Sequence, residues 1–164
     1  MDDQGIVYVI DDDEMVRKGL EILIRTAGLD VKTFPSARSF LSDCLPDRPA
    51  CLILDINMPG MTGLELQDRL AAANRANPII FLTGFGNVPA SVKAMRAGAV
   101  DFLEKPVEDE VLLEAIRPAI RTDTDRLGRA RQEEALRRRF GSLTRRERDV
   151  FHLVTAGLLN KQVA

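Results

Sequence analysis

The chain has 164 residues, enough for one well-buried domain with something to spare and short of two full ones. Its hydrophobic content of 45% and charged content of 29% suit a soluble globular protein, and no apolar run approaches the roughly 18 residues of a membrane span, so a cytoplasmic chain without membrane partners is expected. The two cysteines, Cys44 and Cys51, form no C-x-x-C pair and lie far from the single His152, which excludes a cysteine-based metal or redox motif. The net charge of −2 hides an asymmetry, because residues 126–148 hold nine Arg against three Glu. The remainder is therefore acidic, and the shift marks a boundary.

Five apolar or aromatic residues, Ile6 to Ile10, predict a strand buried on both faces, yet they run straight into Asp11, Asp12 and Asp13. A helical stripe follows at Val16, Leu20, Leu23, Ile24 and Ala27, then a weaker strand from Leu29 to Phe34. Cys51 to Leu54 is the next strand, ending at Asp55. Thr62 and Glu65, in capping-box spacing, open a helix carrying Leu64, Leu66, Leu70 and Ala71. The strand from Ile79 to Leu82 ends at Thr83 and precedes a helical stripe at Val88, Val92, Met95 and Ala99. Val100 to Leu103 is the last strand, followed by Lys105, Pro106 and a helix through Val111, Leu112, Ala115, Ile116 and Ala119.

Nearly unbroken apolar strands alternating with amphipathic helices predict an α/β fold, a five-stranded parallel sheet covered on both faces. Ligands of such sheets bind beyond the carboxyl ends of the strands, at a switch point in strand order. Four strands deliver Asp11 and Asp12, Asp55, Thr83 and Lys105 to those ends. Each residue alone reads as an ordinary loop residue, and Asp13 as a helix cap. Crowded carboxylates repel, so their joint placement calls for a cation.

The stretches "VYVIDDDEMVR", "LILDINMPGMTGLEL", "PIIFLTGFG" and "AGAVDFLEKPVE" resemble the receiver domain of bacterial two-component response regulators, over roughly residues 5–121. The resemblance implies a flavodoxin-like sheet of order 2-1-3-4-5. It further implies Asp55 as the phospho-acceptor for a sensor histidine kinase, with Mg²⁺ held by Asp11, Asp12, Asp55 and the backbone carbonyl of Asn57. Thr83 and Lys105 would contact the phosphoryl group, Lys105-Pro106 is a candidate cis bond, and Asn57 and Phe85 flank the site where they would tune the lifetime of the phosphorylated form. Thr83 and Phe102 would form the switch, reshaping the face made by the helix from Val88 to Ala97 and the strand from Val100 to Leu103, through which related regulators form homodimers.

Beyond Arg121 an Arg-rich stretch reads as an exposed linker helix, interrupted or softened near Gly128. In "SLTRRERDVFHLVTAGLLNKQVA", Thr144 and Glu147 repeat the capping-box spacing, Leu143, Val150, Phe151, Leu153 and Val154 form an apolar stripe, and Gly157 offers a stop. His152 reads as part of that helix's packing rather than as a phosphate carrier. This segment resembles the start of a LuxR-type helix-turn-helix domain, and the chain as a whole is most similar to the FixJ branch of response regulators. The expected organisation is a receiver at 1–121, a helical linker at 122–141 and an all-α helix-turn-helix segment at 142–164. That segment is truncated early in its second helix, so DNA binding is expected only of a longer form.

Two rival readings remain open on the residues. Asp11-x-Asp13 after an apolar strand is also the pattern of Mg²⁺-dependent phosphatases that form an aspartyl-phosphate, with Asp11 as nucleophile and Asp13 as acid, although Asp55 would then have no role. The other makes the chain a non-phosphorylated interaction module with structural acids, against which the full set of acids, hydroxyl and lysine argues.

Overall fold

The computed structural model describes residues 4–84 and 88–156. Among these described residues, five strands and six helices follow in chain order: β1 (Ile6–Ile10), α1 (Glu14–Thr26), β2 (Asp30–Phe34), α2 (Ala37–Leu41), β3 (Ala50–Leu54), α3 (Gly63–Ala72), β4 (Ile79–Thr83), α4 (Val88–Arg96), β5 (Asp101–Glu104), α5 (Asp109–Ser142) and α6 (Arg145–Thr155). All strand pairs are parallel, in the order β2-β1-β3-β4-β5. This is the expected flavodoxin-like order, and the step from β2 back across β1 to β3 creates the switch point between β1 and β3.

Alternation along the central strands divides the core. Tyr8 and Ile10, Leu52 and Leu54, and Phe81 pack with Phe40 of α2, Leu66 and Leu70 of α3 and Ala94 of α4. Val7 and Val9, Cys51 and Ile53, and Ile80 and Leu82 pack on the other face with Leu20 and Ile24 of α1 and with Leu112, Ile116 and Ile120 of α5. Every residue of β1, β3 and β4 is buried, and each large aliphatic or Phe side chain so buried contributes about 1.5–3 kcal/mol. That is why these three strands read as continuous apolar runs.

Several bounds depart from the sequence reading. The last strand runs one residue later than Val100 to Leu103, because the Val100 amide only leads into it, donating to the Ile79 carbonyl at 2.8 Å, and Glu104 pairs opposite Thr83. The helix expected to end at Ala97 ends at Arg96. Helix α2 had no predicted position; Ser39 stands where a capping box usually carries Glu or Gln, and it closes the box with Ser36. Gly128 does not interrupt α5, which continues to Ser142. A single mid-helix Gly costs only about 1 kcal/mol relative to Ala.

The chain divides into two compact units, residues 1–127 and 128–164. In the first, Asp123 of α5 is buried and accepts from the Ala50 amide at 2.8 Å, from Asn77 Nδ2 at 3.5 Å and from Arg126 Nε at 2.7 Å. It thereby ties α5 to the amino end of β3. In the second, Thr144 and Glu147 close the expected capping box on α6. The Phe140 ring meets Phe151 and His152 at centroid distances of 5.5 and 5.3 Å, which gives His152 its packing role. Val150, Phe151, Leu153 and Val154 are exposed. Gly157 and the segment around Asn160 and Lys161 lie outside the described residues, as does Phe85.

Candidate functional site

Register brings the acids together. Ile10 pairs opposite Leu54, so Asp11 and Asp55 leave the sheet side by side, with the Asp55 amide donating to the Ile10 carbonyl at 3.0 Å. One carboxylate oxygen from each of Asp11, Asp12 and Asp55 falls within 4.8 Å of the others. Asp11 and Asp55 are buried and Asp12 is exposed. Burial, followed by the nearby Asp11 charge, raises the Asp55 pKa above the usual carboxylate range, with Lys105 and the Asn57 amide opposing the shift.

Strands β4 and β5 place the cation. Thr83 pairs with Glu104, and the next residue, Lys105, donates its amide to the Thr83 carbonyl at 2.7 Å. Its Nζ lies 2.6 Å from Asp11 Oδ2 and 3.7 Å from Asp55 Oδ2. The Lys105–Pro106 peptide is cis. Thr83 is buried and its hydroxyl has no hydrogen-bond partner among the described residues, a costly state for a polar group unless a ligand supplies one. Phe102 is half-buried, its ring 6.0 Å from that of Phe81.

The turn after β1 is built from its own sequence. Asp13 caps α1, accepting from the Met15 and Val16 amides, while its own amide donates to Asp11 Oδ1 at 2.9 Å. The Asn57 amide donates to Asp55 Oδ1 at 3.3 Å. The sequence reading overlooked two supports. Arg17 Nη1 donates to the Asp11 carbonyl at 2.6 Å. Gly63, the first residue of α3, has no room for a side chain, because a Cβ there would stand 2.2 Å from the Asp55 carbonyl oxygen. A glycine opening a helix against its own propensity was the available signal for the second.

Residues 7–117 match the response regulator receiver domain. The chain belongs to that family. As a receiver it is 45% identical over 161 residues to nodulation protein W of Bradyrhizobium diazoefficiens, covering 98% of this chain and 71% of that protein. It is 42% identical over 165 residues to the transcriptional regulatory protein FixJ of the same organism, covering 100% and 80%. Among solved structures, the response regulator StyR superposes with a TM-score of 0.88 at 44% identity, covering 98% of this chain and 81% of that one. Full-length FixJ from B. japonicum gives 0.67 at 40% identity, covering 98% and 79%. The receiver is thus that of a FixJ-like response regulator, and its family is one of signalling phospho-acceptors. Among its described residues, no helix is long and apolar enough to cross a membrane.

The donor set fits the divalent ion that receivers bind. Three hard carboxylate oxygens converge from two strand ends, and Mg²⁺ takes oxygen ligands while keeping several waters, so few protein groups suffice. Asp13, the acid required by the phosphatase reading, is engaged as the α1 cap.

Proposed function

We propose that Asp55 accepts a phosphoryl group from a sensor histidine kinase, with Mg²⁺ held by Asp11, Asp12, Asp55 and the Asn57 carbonyl. The observation that carries this reading is the convergence of Asp11, Asp12 and Asp55 around one point, with Lys105 Nζ 3.7 Å from Asp55. Bound Mg²⁺ would supply charge neutralisation on the phosphoryl oxygens. An Asp55 carboxylate oxygen attacks phosphorus, and the bond from phosphorus to the donor breaks with its electron pair leaving on the donor. Little covalent chemistry is asked of the protein beyond positioning and electrostatics. The ammonium of Lys105 and the Thr83 hydroxyl, which has no partner among the described residues, then bond phosphoryl oxygens.

Phosphorylation adds charge and acceptor oxygens to the crevice. Bonds from Thr83 and Lys105 would contribute roughly 1.5–3 kcal/mol each, against about 5.5 kcal/mol for a full swing of a two-state equilibrium. Movement of Thr83 makes room for Phe102 and reshapes the face of α4 and β5. Val88, Val92 and Met95 on α4 and Val100 before β5 are exposed, which suits an isologous homodimer through that face. Residues 1–121 act as receiver, 122–141 as linker and 142–164 as a LuxR-type segment, the kind through which such regulators bind DNA and control transcription.

Acetyl phosphate with Mg²⁺ tests the switch. Phosphorylation of the wild type should double its solution mass in light scattering. Full phosphate occupancy with a monomer mass would count against dimerisation as the output.

A further inference from the structure

Arg17 occupies the first turns of α1, close behind the Asp13 cap. A cation there faces the positive end of the helix dipole, which disfavours it. Its side chain is nevertheless half-buried, with Nη1 donating to the Asp11 carbonyl at 2.6 Å. Asp11 is consequently held at every polar group. Its amide donates to the Phe34 carbonyl at 3.2 Å, Oδ1 accepts from the Asp13 amide, Oδ2 accepts from Lys105 and its carbonyl accepts from Arg17.

The two cations in this set differ in what they hold. Lys105 bonds the carboxylate itself and also reaches Asp55, so a cation or phosphoryl group entering the crevice competes for its attachment. Arg17 bonds the main chain and leaves the carboxylate untouched. Its rigid, always-charged guanidinium is suited to such a fixed clamp in a way that a flexible ammonium is not.

We propose that Arg17 is a positioning residue for the metal site: it clamps the turn between β1 and α1 so that Asp11 and Asp12 keep their carboxylates in the crevice when Lys105 lets go of Asp11. The assignment rests on the metal ligation proposed above. Partners that orient the ligands of a metal site are worth on the order of tenfold or more in metal affinity.

Calorimetric titration of the full chain with MgCl₂ tests it, using wild type, Arg17→Met, Arg17→Gln and Arg17→Lys, each also melted without metal. The expected result is Mg²⁺ affinity weakened about tenfold in Arg17→Met and Arg17→Gln, with partial recovery in Arg17→Lys. A purely architectural role would lower the melting temperature and leave the affinity of the folded protein unchanged. Wild-type affinity in whichever neutral variant folds therefore overturns the proposal. A wild type that binds no Mg²⁺ instead overturns the metal reading beneath it.

Discussion

Lys105 Nζ sits closer to Asp11 than to Asp55, 2.6 Å against 3.7 Å. The lysine is thus the internal counter-ion of the acid crevice and stands against two of the carboxylates that a metal would use. Lys105→Met should tighten Mg²⁺ binding, since a competing positive charge is removed. The same change should slow phosphorylation by acetyl phosphate roughly ten- to a hundredfold, the loss of one charge-assisted hydrogen bond. Calorimetry and a phosphorylation time course on one preparation measure both; equal changes of affinity and rate in the same direction would contradict this division of labour.

Asp55 should make the metal-free protein less stable as pH rises. Its folded pKa is raised by burial and by Asp11, so the ionised form is disfavoured in the folded chain relative to the unfolded one. The penalty is absent below the ordinary carboxylate range and is complete once pH exceeds the raised value. Asp55→Asn should therefore melt higher than wild type at neutral pH without metal, with the gap closing at acid pH. Added Mg²⁺ should raise the wild-type melting temperature more than that of the variant.

Gly63 keeps α3 in contact with the backbone of Asp55. In Gly63→Ala the new methyl would meet the Asp55 carbonyl oxygen at 2.2 Å and both the Asp55 carbonyl carbon and Ile56 Cα at 3.0 Å. Backbone must shift, at a cost of about 1–3 kcal/mol. The shift acts on the main chain of Asp55, the proposed acceptor, so phosphorylation by acetyl phosphate should fall more steeply than urea stability does.

Much of the site could be read from the chain because strand ends are where apolar runs stop. Asp11, Asp55 and Thr83 each follow or close such a run, Lys105 stands one residue beyond β5, and parallel register does the rest. Burial patterns that carry no run were harder to see. Strand β5 is only half-buried, so its bounds slid by one residue. Asp123 was lost among the charges of an apparently solvated helix, although its carboxylate is fully buried against Ala50 and Asn77. Pairwise spacing along a helix does not reveal a hydrogen bond to a residue 73 positions away. Arg17 was invisible for the same reason: its bond is to a main-chain carbonyl, which every residue has.

Asp123 gives a further test. Asp123→Ala leaves the buried Ala50 amide without its acceptor, which should cost about 1–3 kcal/mol in urea unfolding. Asp123→Asn keeps an acceptor oxygen and should lose less. Equal loss in both would mean that the carboxylate's charge toward Arg126, rather than the bond to Ala50, holds the helix.

The most direct measurement is intact-mass spectrometry of wild type and Asp55→Asn after incubation with acetyl phosphate, with and without Mg²⁺ chelated. The account predicts one phosphoryl adduct on the wild type only, strongly reduced when the metal is chelated. An adduct of equal yield on Asp55→Asn, or one indifferent to chelation, would contradict it.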